Sequence, residues 1–257
     1  MQIDIDGAGP GLVLVHSLLT DARAYDEVTP RLARTRRVMR PSLPGFGLTP
    51  ALDKDSPSLY DLADAVADGL ADAGADRDTV VLGNGLGAFV SVALAIAHSD
   101  RFGPLVVANG GAVFSHERRG AFTTMSELVG DGGMSAVVDV AVGRIYTEDY
   151  VADHPHVLDE RRGVLLEIDP TAFAAACRAL RDVDLRDQAP SIDKPTLVIA
   201  GEADQTTPPE MAHELAELIP GAELVTLEGC GHCPPLEQPT AFADVLEGFL
   251  DRVSADL

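Results

Sequence analysis

A chain of 257 residues suits one large α/β domain with room for an inserted subdomain, and 46% hydrophobic with 23% charged is an ordinary globular balance. Acidic side chains outnumber basic ones 41 to 19, and the formal net charge of -22 argues against nucleic acid and anionic membrane surfaces as partners. An anionic substrate would need arginines gathered locally. Three cysteines, an odd number, make no disulfide framework, so Cys177, Cys230 and Cys233 are read as reduced thiols of a cytoplasmic protein. The N-terminus shows neither the basic region nor the apolar core of a signal peptide. No apolar run approaches the ~20 residues of a membrane span.

In chain order, Gln2 to Ile5 alternates like an edge strand, and Leu12 to Val15 is a continuous apolar run, as in a strand buried on both faces. His16-Ser17-Leu18-Leu19-Thr20 follows it. Ala22 to Arg34 reads as a helix with Tyr25, Val28 and Leu32 on one face, and Arg37 to Met39 as a short strand. Pro41 to Gly47 is built from turn residues. Ser58 caps a helix to about Gly74, whose apolar stripe is Leu59, Leu62, Val66 and Leu70. Thr79 to Leu82 is a strand, Leu86 to His98 a helix and Leu105 to Asn109 a strand. This alternation argues a parallel sheet covered on both faces.

From 114 to 187 the pattern changes to helical segments at Phe122–Val129, Met134–Ile145, Val157–Glu167 and Thr171–Asp182. We read this stretch as a helical cap inserted into a core formed by 1–113 and 188–257. Alternation then resumes: strand Pro195–Gly201, helix Pro209–Leu218, strand Glu223–Leu227, and a closing helix Thr240–Val253.

Three places concentrate chemistry. Gly83-Asn84-Gly85-Leu86-Gly87 has the spacing of G-x-S-x-G, a sharp strand-to-helix turn that presents a nucleophilic serine, but its middle residue is Gly85. Asp204 lies just past a strand end in Gly201-Glu202-Ala203-Asp204, and His232 past the next strand in Gly229-Cys230-Gly231-His232. Elbow, acid, histidine is the chain order of a Ser…Asp…His triad. An Asp–His pair is a general base, in which the carboxylate fixes the imidazole tautomer and stabilises the imidazolium. Glu202 is read as structural. The spacing of Cys230 and Cys233 has no second pair, and no metal or cofactor is expected. His154 and His156 read as solvated.

These residues carry a resemblance. The chain resembles the α/β-hydrolase superfamily over nearly its whole length, and within it the 3-oxoadipate enol-lactonases. The closer likeness lies in His16-Ser17-Leu18-Leu19-Thr20-Asp21-Ala22-Arg23, in Ala176 through Arg186, in Pro195 through Asp204 with Thr207-Pro208-Pro209, and in Gly231-His232 with Leu236-Glu237-Gln238-Pro239. The fold implied is a mostly parallel sheet flanked by helices, with a helical cap. The implied oxyanion hole is formed by the backbone N–H groups of Leu18 and Leu86. The departures are Gly85 for the serine, Asn84 where many relatives have His, Tyr25 where a tryptophan is common, and Ser42 at a position that is often acidic. Ser17, Tyr25 and Asn84 are taken as pocket residues. Ser17 is either polar lining or a stand-in nucleophile, and His16 is taken to brace the oxyanion loop.

Without a hydroxyl at residue 85 no acyl-enzyme forms there. The leading expectation is therefore an enzyme acting on a small carbonyl, lactone or ester substrate by His232–Asp204 acid–base catalysis. Its reaction is water-mediated hydrolysis or lyase, isomerase or cyclase chemistry. The alternatives are an enol-lactonase-like serine hydrolase carrying a Ser-to-Gly exchange, natural or engineered, and a non-catalytic ligand-binding protein on a hydrolase frame. The partner is a small molecule, and the assembly open to it is a monomer or a homodimer. Arg118, Arg119, Arg161, Arg162, Arg178 and Arg181 are the basic clusters, and one or two facing the pocket would select a carboxylated substrate.

Overall fold

A computed structural model describes residues 1–255. Seven strands form one sheet in the order β1-β3-β2-β4-β5-β6-β7: β1 Ile3–Asp6, β2 Gly11–Val15, β3 Arg37–Pro41, β4 Val80–Asn84, β5 Leu105–Ala108, β6 Thr196–Gly201 and β7 Glu223–Leu227. Only β1 runs antiparallel, pairing with β3 at the edge. The strands β4, β5 and β6 are buried along their whole length, which is why they read as unbroken apolar runs.

Alternate residues serve two cores, because successive side chains of a strand point to opposite faces. Val13, Val15, Val81, Val107 and Val198 pack against α2 (Leu59–Asp72) and α3 (Leu86–Ala97), joined by α9 (Pro209–Leu218). Leu12, Leu14, Leu82, Val106 and Ile199 face α1 (Thr29–Leu32) and α11 (Pro239–Ala255), through Leu32, Phe242, Leu246 and Phe249. Each such Leu or Ile contributes about 1.5–3 kcal/mol by leaving water. Helix α2 starts on a capping box in which Ser58 accepts from the Asp61 amide and the Asp61 carboxylate accepts from the Ser58 amide. Its buried stripe includes Leu59, Leu62, Val66 and Leu70.

The helix expected over 22–34 is shorter. Ala22–Tyr25 is a single 3-10 turn, and α1 begins only at Thr29. Pro30 explains the break: it lacks an N–H and its ring would meet the carbonyl four residues back, so it sits in the first turn of a new helix. Tyr25, Val28 and Leu32 nevertheless share the buried face.

Between β5 and β6 lie α4 (His116–Gly132), α5 (Val138–Val142), α6 (Glu148–Asp153), α7 (Val157–Leu166) and α8 (Pro170–Asp182). The stretch read as one helix over 134–145 is a 3-10 turn at Met134–Ala136 followed by α5. Helix α6, capped by the Thr147 hydroxyl, was not foreseen; it buries no side chain, so no apolar stripe announces it. A further short helix, α10 (Pro234–Glu237), follows the His232 loop. Among the described residues, no helix is long and apolar enough to cross a membrane.

Candidate active site

The candidate residues lie beyond the carboxyl ends of the strands: Ser17 after β2, Gly85 after β4, Asp204 after β6 and His232 after β7. Ligands of open α/β sheets bind at such ends. The elbow is made by close backbone approach. A Cβ at Gly83 would lie 2.0 Å from the Gly87 carbonyl oxygen, and one at Gly87 would lie 2.2 Å from that of Val15. The flanking glycines are therefore dictated by packing, whatever stands between them. Gly85 itself has φ 57° and ψ -119°, a conformation that strains any residue with a side chain.

His232 is buried at 3% exposure, and its Nδ1 lies 2.9 Å from Asp204 Oδ2. The Asp204 carboxylate accepts three further bonds: from the backbone N–H of Thr206 (2.7 Å) and Thr207 (3.0 Å) at Oδ1, and from the Thr207 hydroxyl (2.6 Å) at Oδ2. Burial pushes this carboxyl up, but the His232 imidazole and the Thr207 donors outweigh it, so Asp204 titrates below its ordinary value. An ionised Asp204 holds the His232 proton on Nδ1. The lone pair is then on Nε2, which faces the cavity.

Asparagines hold this assembly together. Asn109, among the described residues the non-glycine one at positive φ (48°), accepts from the Gly201 amide at 2.7 Å and donates to the Gly231 carbonyl at 2.7 Å. Its own carbonyl oxygen lies 2.9 Å from the Thr207 hydroxyl, whose single proton goes to Asp204. One side chain thus ties the ends of β5 and β6 to the loop carrying His232. Asn84 donates to the His232 carbonyl at 3.1 Å and to that of Ala108 at 3.2 Å, from behind the cavity. Buried Glu237 accepts from the Gly231 amide at 2.9 Å and also from Thr147, linking the loop to the start of α6.

Ser17 is 1% exposed, and its Oγ lies 3.3 Å from His232 Nε2. His16 braces the same loop: Nδ1 donates to the Ser17 carbonyl at 2.9 Å, and Nε2 accepts from the Leu43 amide at 3.0 Å. Burial lowers its pKa, which suits a neutral ring of fixed tautomer. Among the described residues the backbone N–H groups of Leu18 and Leu86 have no acceptor, and both residues line the cavity.

That cavity encloses about 580 Å³ including its mouth, between the strand ends and α4. Phe89, Phe114, Phe122, Met125 and Leu180 make most of its wall apolar, with Ser17, Thr207 and His232 at its floor. Two arginines line it. Arg118, half-buried, donates to the carbonyls of Gln205 (2.7 Å) and Thr206 (3.3 Å), and Arg144 stands exposed at the mouth. Neither has a carboxylate partner among the described residues. The other arginines are engaged elsewhere: Arg119 with the Phe114 and Val183 carbonyls, Arg162 with Asp139, and Arg181 with Asp182. Arg178 lines a separate surface pocket, and Arg161 lies outside the cavity lining.

Two residues taken as pocket lining stand elsewhere. Tyr25 is fully buried in the core on the far side of the sheet, where its hydroxyl donates to the Val15 carbonyl at 2.8 Å. Asn84 supports the His232 loop instead of touching the cavity. Thr207, Asn109 and Arg144 were missed as site residues. Thr207, three residues past Asp204 and next to Pro208, had a signal in its place within the motif; Asn109 and Arg144 had none. Glu202 accepts from the Gly229 amide at 2.9 Å, away from the cavity. Cys230 and Cys233 are buried free thiols.

A family model described as the alpha/beta hydrolase family matches residues 12–245. The chain belongs to the alpha/beta hydrolase family. Its relatives include a pimeloyl-(acyl-carrier protein) methyl ester esterase of Aeromonas hydrophila, 29% identical over 97% of this chain and 100% of that protein. A 3-oxoadipate enol-lactonase 2 of Acinetobacter baylyi is 30% identical over 66% of this chain and 62% of its own length. Among solved structures, the enol-lactonase from Burkholderia xenovorans superposes with a TM-score of 0.91 at 30% identity, covering 97% of this chain and 96% of its own. Membership makes the chain an enzyme of hydrolase type at the level these relatives share.

Proposed function

We propose that this hydrolase cleaves an ester or lactone of a small carboxylic acid that carries a second, free carboxylate, with Asp204–His232 as its general base and no attacking hydroxyl at the elbow. The observation that carries the reading is the imidazole: Nδ1 is held 2.9 Å from a buried carboxylate while Nε2 faces the cavity floor beside Gly85. An attacking O–H placed there gives its proton to Nε2, and Asp204 stabilises the imidazolium that results. The tetrahedral oxygen settles between the unpaired N–H groups of Leu18 and Leu86, which need no reorganisation to receive it. His232 then returns the proton to the departing alkoxide. Thr207 keeps Asp204 ionised and in place throughout.

Arg118 and Arg144 support the carboxylate preference, since each offers a cation to a cavity that is otherwise apolar. One relative's name agrees with it: an enol-lactone of 3-oxoadipate closes one carboxyl of a dicarboxylic acid into the ring and leaves the other free, whereas a pimeloyl-(acyl-carrier protein) methyl ester has both carboxyls derivatised.

The test is a panel of aryl monoesters and lactones in matched pairs, with and without a terminal carboxylate. The reading expects hydrolysis of the charged member at a kcat/KM at least about tenfold above the neutral one, and Arg118→Ala to erase that ratio through KM. No hydrolysis of either member, or equal rates for both, contradicts it.

A further inference from the structure

The hydroxyl nearest the His232 base is not at the elbow. Ser17 Oγ lies 3.3 Å from Nε2, within the range expected of a nucleophile–base pair before substrate tightens it. It also stands where an elbow side chain would stand. A Cβ built on Gly85 falls 2.2 Å from Ser17 Oγ, 2.8 Å from Ser17 Cβ and 3.0 Å from His232 Nε2. The two positions therefore compete for one volume, and in this chain Ser17 holds it.

The backbone of Ser17 is fixed at both ends. Its N–H donates to the Thr20 hydroxyl at 3.1 Å, and its carbonyl accepts from His16 Nδ1 at 2.9 Å and from the Thr20 amide at 3.3 Å. With the backbone fixed, the direction of the Ser17 Cα–Cβ bond is fixed with it. The amide arrangement also suits it. At an elbow, the amide following the nucleophile joins one from the facing loop to bind the oxyanion. Leu18 follows Ser17, and Leu86 faces it, so the same two amides serve with their roles exchanged.

We infer that Ser17 supplies the attacking hydroxyl that the elbow lacks. This rests on the general-base reading above and names the O–H whose proton His232 takes. Ser17 Oγ adds to the substrate carbonyl carbon as its proton passes to Nε2. The carbonyl C–O bond to the alkoxy group then breaks, and the leaving oxygen takes the proton from His232. The acyl group is left on Ser17. Water, deprotonated by Nε2, adds to that ester, and Oγ leaves with the proton returned from His232. The products are the acid and the alcohol, joined in one molecule when the substrate is a lactone.

The probe is diethyl 4-nitrophenyl phosphate, whose diethylphosphoryl group a catalytic serine captures with release of 4-nitrophenolate. The expected result is one diethylphosphoryl group on the wild-type protein, placed on Ser17 by peptide mapping. S17A takes none, and H232A takes it at least about a hundredfold more slowly. In S17A/G85S the group returns, now at position 85. Should S17A unfold, S17C replaces it: its thiol is expected to be alkylated by iodoacetamide ahead of the three buried native thiols. No adduct on the wild type, an adduct elsewhere, or labelling undiminished in S17A overturns the inference. Should S17A hydrolyse the best ester of the panel as fast as wild type while H232A is inactive, Ser17 is only lining and the general-base reading stands. Should H232A also keep full activity, both fall.

Discussion

Gly85→Ala puts a number on the competition between positions 17 and 85. The backbone at residue 85 (φ 57°, ψ -119°) strains any side chain, which costs about 1–3 kcal/mol. The reduced freedom of the unfolded chain offsets about 0.4–1 kcal/mol of this. The new Cβ also meets Ser17 Oγ at 2.2 Å and Ser17 Cβ at 2.8 Å. Rotating the hydroxyl relieves the first contact but not the second, and overpacking of this kind costs roughly 1–3 kcal/mol. Together Gly85→Ala should destabilise by about 1–6 kcal/mol. Ser17→Gly removes both contacting atoms, so the pair should couple favourably by about 1–3 kcal/mol. Urea unfolding of wild type, G85A, S17G and the double variant at pH 7 closes the cycle. Additive effects within about 0.5 kcal/mol would show that the two side chains do not share a volume.

Other expectations follow from the same contacts. Asp204→Asn should lower kcat/KM about 10⁴-fold by releasing the tautomer of His232, with the fold kept by circular dichroism. Because the Asp204 carboxyl titrates below its ordinary value in the folded state, its contribution to stability is complete above about pH 4 and lost as pH falls below that. Asp204→Asn should therefore flatten the acid limb of stability against pH; an unchanged limb would count against the pairing. Tyr25→Phe should cost about 1–2 kcal/mol through the lost bond to Val15, while kcat/KM stays within twofold. A large kinetic effect would return Tyr25 to the pocket. Burial pushes the Cys177 thiol up to about 12 and those of Cys230 and Cys233 higher still. Native protein at pH 8 should release no thionitrobenzoate from a disulfide reagent, and denatured protein three equivalents. A rapidly reacting native thiol would contradict this.

Much of the fold could be read from periodicity alone. Apolar runs at Leu12–Val15, Val80–Leu82, Leu105–Val107 and Leu197–Ala200 are strands closed in on both faces, and only a covered parallel sheet accepts them in that number. The elbow was legible because Gly83 and Gly87 answer to backbone contacts that tolerate no Cβ. Chain order pointed to Asp204 and His232, and the structure brings them within hydrogen-bond distance. Where reading failed, the deciding contacts were tertiary. Tyr25 follows a strand end as pocket residues do, but its helical face turns it under the sheet. Asn109 and Arg144 have no pattern around them, and their importance lies in partners 92 residues and more away or in a wall seen only when folded. Ser17 was visible as a polar residue in the right loop. That it fills the place of the missing elbow side chain depends on a distance of 2.2 Å that no spacing encodes.

The proposed reaction turns on the Asp204-braced imidazole of His232 taking up and returning the proton. The most direct measurement is kcat/KM of folded H232A against wild type on the ester or lactone that wild type cleaves best. A fall of at least about a thousandfold, with Tm within a few degrees of wild type, is the predicted result. A variant that hydrolyses within threefold of wild type would contradict a role for His232 as the base.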